Sequence, residues 1–394
     1  MSKFIPLSIP NFEGNEKKYV DDALEQGWVS TGGAYITKLE KDLAHFLHTD
    51  NVAACQSGTA ALHLSMIEAG VGTGDVVLVP PLTFIAAVNP VKYRFATPVF
   101  IDCDDSFCMD PLKLRSFCET QCECRDGVLL YKGHPVKAVV VVHIFGNMAD
   151  MDSILETAAI FHLKVIEDAT EALGTKYTGG RFAGKYAGTI GDYGCFSFNG
   201  NKIITTGGGG AVTARDSKVV DHIRFLSTQA KTDPHYYIHD EVGYNYRMTN
   251  LQAALGVAQM EELPEFILRK QRNYEQYKRE FEGFEYGTLM PFREETDSNK
   301  WFYSLKIDRT KIKASMREII IALHETGIET RAIWGLINEQ KPYESEVTWQ
   351  LEKAPYYADR ILNIPSSTQI SEEEISYVVK SIKKLFTEMA NDQS

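Results

Sequence analysis

Long hydrophobic runs are missing from this chain. Its longest clearly apolar stretch, at 138–142 and extended by His143-Ile-Phe, falls far short of the roughly 20 residues that span a bilayer. The opening, Met1-Ser-Lys-Phe-Ile-Pro-Leu-Ser-Ile-Pro10, lacks the apolar centre of a signal peptide. Positive charge is in deficit. With 41 Lys and Arg against 53 Asp and Glu, the net charge is −12 and the pI is near 5.4. That balance argues against a nucleic-acid surface and does not favour an anionic membrane. The seven cysteines are an odd number in a large chain, which reads as free thiols rather than a disulfide framework. Cys118, Cys122 and Cys124, followed by His134, have no standard zinc spacing, so no metal is expected. Internal repeats and low-complexity tracts are also missing. These absences together point to a cytoplasmic protein without membrane or nucleic-acid partners.

What is present is ordinary globular composition, 44% hydrophobic and 24% charged over 394 residues, enough for a large core and two subdomains. Between about 50 and 230, short β-rich runs alternate with helical patterns. Strands are expected at 76–79, 98–101, 138–142, 165–166, 195–198 and 211–213, and helices at 58–69, 84–94, 111–122, 151–163 and 217–227. Continuous apolar strands between helices predict an α/β fold with a mostly parallel sheet covered on both faces. Ligands bind such sheets at the carboxyl ends of the strands. After Thr249 the pattern predicts a helix over 251–262 and a separate long one over 264–281. A strand over 301–307 and helices over 316–326 and 371–389 complete a smaller α+β unit. The chain thus divides into a large domain, 1–255, and a small one, 256–394, with segment 1–30 packing on the latter.

Lys202 stands out. It lies in Phe196-Ser-Phe-Asn-Gly-Asn-Lys202-Ile-Ile-Thr-Thr-Gly207-Gly-Gly-Gly210, where an apolar strand runs into a lysine and then four glycines. A second strand, Lys164-Val-Ile-Glu-Asp168, ends in an acid. A lysine and an aspartate delivered by neighbouring strands are what pyridoxal 5'-phosphate (PLP) chemistry needs. The amine forms a Schiff base, and the carboxylate pairs with the protonated pyridine nitrogen. Gln56-Ser57-Gly58-Thr59-Ala60-Ala61-Leu62 sets hydroxyls and a glycine before an amphipathic helix, whose N-terminus is an anion site. An ordinary Ser57 N-cap accounts for the same residues, and only Asp168 and Lys202 tip the reading towards phosphate. Ser197 adds a further hydroxyl, and Phe84 opens a helix beside a strand end, where an aromatic can stack on a planar ring.

One motif is a decoy. Gly179-Gly-Arg-Phe-Ala-Gly184-Lys185 fits the start of a P-loop, but Tyr186 stands where Ser or Thr belongs. The preceding Thr175-Lys-Tyr-Thr178 reads as one arm of a hairpin turning at Gly179-Gly180.

At four places in register, 56–62, 165–174, 196–202 and 243–254, the chain resembles the DegT/DnrJ/EryC1/StrS sugar aminotransferases. Gly27-Trp-Val-Ser-Thr-Gly32 adds a fifth match. The resemblance implies a fold-type-I, aspartate-aminotransferase-like PLP enzyme, working as a homodimer with shared active sites. It makes Lys202 the Schiff-base lysine and Asp168 the pyridinium partner. Ser57, Gly58, Thr59 and Ser197 would hold the phosphate, Phe84 would stack on the ring, and Asn245 would reach the cofactor phosphate of the neighbouring subunit. Many relatives carry Gln near the ring hydroxyl, where this chain has Glu171.

Many members also read Gly-Glu-Gly-Gly after the lysine. The unbroken glycines here, with Thr330-Arg-Ala-Ile-Trp334, look like the LegC-type subgroup. Its reaction is amination at C4 of UDP-2-acetamido-4-keto-2,6-dideoxyhexose with L-glutamate as donor. The alternative substrate is GDP-4-keto-6-deoxymannose, as in a perosamine synthase. Trp28, Thr31, Trp301, Arg331 and Trp334 are the candidate sugar-nucleotide contacts. Competing readings are a dehydratase on the same scaffold, which carries His in place of the lysine, and a non-catalytic relative, which would tolerate its loss.

Overall fold

The computed structural model describes residues 4–233 and 235–391. Among these, the main sheet has ten strands. Its path runs Val52–Cys55, Gly210–Ala214, Tyr193–Ser197, Lys164–Asp168, His134–Val142, Val76–Val79, Thr97–Ile101 and Val347–Trp349. The first two pairings are antiparallel and the remainder parallel. Strands such as 138–142, all Ala and Val, are buried on both faces, as helices on either side of a parallel sheet require. Register places Asp168 opposite Val142 on one side and Cys195 on the other. The acid therefore stands at the carboxyl edge, where the next loops converge.

The second sheet is antiparallel, in the order Gly287–Leu289, Tyr303–Ile307, Ile361–Ile364, Arg331–Ala332. Its hydrophobic cluster includes Tyr277, Leu305, Ile319, Leu362, Val378 and Ile382 and is distinct from the main one. Ile5 pairs in parallel with Ile328 and joins this second core, whereas Leu7 joins the first.

Two expectations are corrected by proline. The helices over 251–262 and 264–281 are one helix, Asn250–Glu280, with Pro264 inside it. Proline there removes a hydrogen bond and crowds the carbonyl four residues back, costing about 3 kcal/mol. The helix runs on because Leu263 and Phe266 flank the proline and are fully buried, each contributing about 1.5–3 kcal/mol. It serves both cores: Val257, Leu263 and Phe266 lie in the first, Tyr274 and Tyr277 in the second. The 255/256 division therefore falls within an unbroken helix. Conversely, the helix expected over 84–94 is split into a 3-10 turn, Ile85–Ala87, and a short helix, Asn89–Tyr93. Pro90 has no N–H to continue the turn and instead occupies the first turn of a new helix.

Residues 179–185 form the expected hairpin. Tyr177 donates its N–H to the Lys185 carbonyl, Gly184 donates to that of Tyr177, and Lys176 bridges Tyr186. The next element after Lys185 is the strand Tyr193–Ser197, so no helix N-terminus stands there to bind a triphosphate.

Candidate active site

The site begins at the helix Gly58–Glu68. Ser57 is extended, and its hydroxyl accepts the Ala60 N–H at 3.0 Å. That cap meets one of the helix's unsatisfied N–H groups and leaves the first turn directed at the sheet edge. Gly58 is there for close approach: a Cβ would lie 2.8 Å from the Ser197 Cβ and 3.0 Å from the Thr170 Cγ2. At Gly210 a Cβ would lie 2.6 Å from both the Phe196 oxygen and the Ser57 carbonyl carbon. The fourth glycine of the tract is therefore the start of a tightly packed strand, where any side chain would push two site loops apart.

Asp168 is buried and accepts the Thr170 N–H at 3.1 Å. Burial raises its pKa, while the Thr170 hydrogen bonds and the charge of Lys202 oppose the rise. One turn on, Glu171 accepts the Phe145 N–H at 2.8 Å and stands 3.6 Å from the Lys202 amine. Burial pushes the Glu171 carboxyl up to about 7 against the pull of Lys202. Two buried carboxyls and the Lys202 amine thus line one pocket.

The Lys202 amine lies 4.1 Å from the centroid of the Trp301 ring, a cation–π contact. The Trp301 indole N–H donates to the Asn201 carbonyl at 2.7 Å. Phe302 stacks on Trp301 with ring centres 3.9 Å apart, and Trp334 packs on Phe145 at 4.8 Å and on Phe84 at 6.5 Å. Phe84, in extended backbone just before the split helix, is 54% exposed and faces the opening.

These groups line one cavity of about 300 Å³, at the lower end of the range for cofactor sites. It collects Ser57, Gly58, Thr59, Phe84, Asp168, Glu171, Ser197, Lys202, Trp301 and Trp334. Thr83, Thr170, Asn199, Asn201 and Phe302 also line it, although sequence reasoning did not single them out. Thr170 lies inside the motif at 165–174, Asn199 and Asn201 inside that at 196–202, and Phe302 is adjacent to Trp301. Thr83 gave no signal of its own.

Four expected residues lie elsewhere in this chain. Trp28 is 60% exposed, with its carbonyl accepting from the Asn250 side chain. Thr31 is exposed, Arg331 pairs with Glu329, and Asn245 is exposed and bridges Thr228. Behind the cavity, His143 has an assignable tautomer. Its Nδ1 accepts the Ala149 N–H at 3.2 Å, so Nε2 carries the proton and donates to Glu167 at 2.9 Å.

The donor set fits PLP. A helix N-terminus suits its phosphate, a buried carboxylate suits its ring nitrogen, and an amine suits its carbonyl carbon. Gly58 lets the Ser197 and Thr170 side chains close on the helix N-terminus that would hold the phosphate. Residues 10–383 match the model of the DegT/DnrJ/EryC1/StrS aminotransferase family. The chain belongs to that family. The aminotransferase is 35% identical to a GDP-perosamine synthase of Escherichia coli O157:H7, over 98% of this chain and 100% of that one. It is 34% identical to the GDP-perosamine synthase of Caulobacter vibrioides, over 97% and 98%. Spr1654 of Streptococcus pneumoniae, solved in its PLP form, superposes with a TM-score of 0.86 at 25% identity, covering 98% and 99%. The fold is that of the family's PLP-dependent enzymes, and PLP is the cofactor of this aminotransferase as well.

Proposed function

We propose that this aminotransferase transfers the amino group of L-glutamate to C4 of a nucleotide-linked 4-keto-6-deoxyhexose, with GDP-4-keto-6-deoxymannose as the sugar. Two relatives matched end to end and named GDP-perosamine synthase support the GDP-linked sugar. The four-glycine tract at 207–210 favours UDP-2-acetamido-4-keto-2,6-dideoxyhexose as the second candidate. The observation that carries the reaction class is the convergence of Lys202, Asp168 and the Gly58–Glu68 N-terminus on one cavity. Lysine, rather than histidine, at 202 separates transamination from dehydration.

PLP supplies an electron sink that acidifies a carbon–hydrogen bond beside the bound amine. The protein does the rest. Ser57, Gly58, Thr59 and Ser197 hold the phosphate with hydroxyls and helix N–H groups, and Phe84 covers the ring. Asp168, buried, would hold the proton on the ring nitrogen, and Glu171 would serve the ring hydroxyl. Lys202 would hold the cofactor through its amine and, once the donor amine had taken its place, would serve as general base and acid for the donor's α-proton, and in the reverse sense with the sugar ketone. Trp301 and Trp334, in the cavity wall, contact the sugar nucleotide. Trp28, Thr31, Arg331 and Asn245 serve a site from outside its own cavity, with Asn245 reaching the phosphate held by a second copy of the chain.

Product NMR on GDP- and UDP-linked ketosugars tests the substrate. Amination of the GDP sugar with kcat/KM at least about tenfold above the UDP sugar, or 1.4 kcal/mol of preference, is the expected result. The reverse ranking selects the second candidate. Lys202→Arg is expected to abolish both the visible cofactor band and multiple turnover, and retained turnover would sink the assignment.

A further inference from the structure

Lys270 is a buried lysine that the chemistry above does not use. It lies on the helix Asn250–Glu280 and is 2% exposed, and among the described residues no carboxylate is paired with it. Its amine instead donates to two backbone carbonyls, Trp301 at 2.9 Å and Ser366 at 2.6 Å. The Ser366 hydroxyl donates to the same Trp301 carbonyl at 3.1 Å, and the Tyr303 hydroxyl donates to the Lys270 carbonyl at 2.7 Å. An ammonium in such a place carries a desolvation penalty, of which the carbonyls return only part. Burial lowers its pKa to about 7, the mark of that cost. A Met or Leu would fill the same volume without the penalty.

What the amine holds is the carbonyl end of Trp301. The other end of that residue is pinned as well, through the indole N–H to the Asn201 carbonyl, and its ring face meets the Lys202 amine. A continuous relay of contacts therefore runs from Lys270 through Trp301 to the neighbour of Lys202 in sequence and to Lys202 itself. We propose that Lys270 is a positioning residue, clamping the Trp301 backbone so that the indole fixes where the Lys202 amine rests. It joins the long helix, the strand entering the second sheet and residue 366 at one point of the cavity wall. The inference rests on Lys202 being the reacting amine.

The test is a double-substitution cycle in PLP-loaded protein: Lys270→Met, Trp301→Phe, and both together, with Lys202→Arg as control. Lys270→Met is expected to lower kcat about 10- to 100-fold, the effect of misplacing a reacting group by about 1 Å, with KM for glutamate changed less than about twofold. It should also move the pH midpoint of the visible band. Trp301→Phe should produce the same two changes, and in its background Lys270→Met should add little to either. Additive effects in the pair, or a lowered Tm with kcat and band as in the unaltered protein, overturn the proposal. If Lys270→Met does not fold, Trp301→Phe still decides: an unaltered kcat and band there break the relay. A visible band retained in Lys202→Arg would instead remove the underlying assignment of the amine, whatever Lys270 does.

Discussion

Glu171 is the residue whose environment departs furthest from its ordinary chemistry while still touching the reacting amine. Its carboxyl titrates near 7 in the folded protein against an ordinary 4.5. Between those values the folded state holds more protons than the unfolded one, so this group's stabilisation is full below about pH 4.5 and is lost as pH rises through 7. Glu171→Gln removes the dependence. In cofactor-free protein, the stability of the unaltered chain minus that of Glu171→Gln should fall steadily between those limits by urea titration. A flat difference would mean that burial does not raise this carboxyl. Gly58 gives a second prediction at this scale. Gly58→Ala forces a methyl against Ser197 and Thr170, and should cost about 1–3 kcal/mol and weaken PLP binding, read by Tm and by titration of the visible band. Lys202, Asp168 and Ser57 were legible because strand ends and helix starts are written locally, in apolar runs and small residues. Phe145 was not legible. Its N–H meets Glu171 only because its φ is +56°, in a turn no pattern announces.

At the scale of elements, the helix Asn250–Glu280 carries the most consequence. Its start is fixed by a capping box of Thr249 and Gln252, and Gln252 also donates to the Gly208 carbonyl at 2.7 Å, tying the helix to the glycine tract. Pro264 breaks the local rule in its middle, so the sequence reads as two helices where tertiary packing makes one. Pro264→Ala should raise the urea midpoint, by up to about 3 kcal/mol of stability, with an unchanged slope. An unchanged midpoint would mean the flanking packing already absorbs the proline. The strands at 76–79, 138–142 and 165–166 are readable because nothing competes with their largely β-branched, buried runs. The 84–94 segment was not, since its apolar pattern is helical throughout and only Pro90 decides where the helix restarts.

For the whole molecule, the open matter is which residues complete a site from a second chain. Distance between copies leaves no trace in a motif, so Trp28, Thr31, Arg331 and Asn245 were named from the sequence with no sign that they lie off their own cavity. If Asn245 acts across a two-fold dimer, each site draws Lys202 from one chain and Asn245 from the other. Mixing inactive Lys202→Arg with inactive Asn245→Ala under subunit exchange should then restore about a quarter of full activity, since half the dimers are mixed and each mixed dimer has one intact site. No recovery would assign Asn245 to its own chain. The helix shared by both hydrophobic cores has a further consequence for engineering. A chimaera that borrows the small α+β unit of another family member to change sugar preference has no clean junction in this helix: a cut at 255/256 sets foreign counterparts of Val257, Leu263 and Phe266 against the first core, and a cut beyond Phe281 leaves Tyr274, Tyr277 and Phe281 against a foreign second core. Either graft must bring its own counterpart of Ile5, because that residue, near the start of the chain, packs with the unit encoded last.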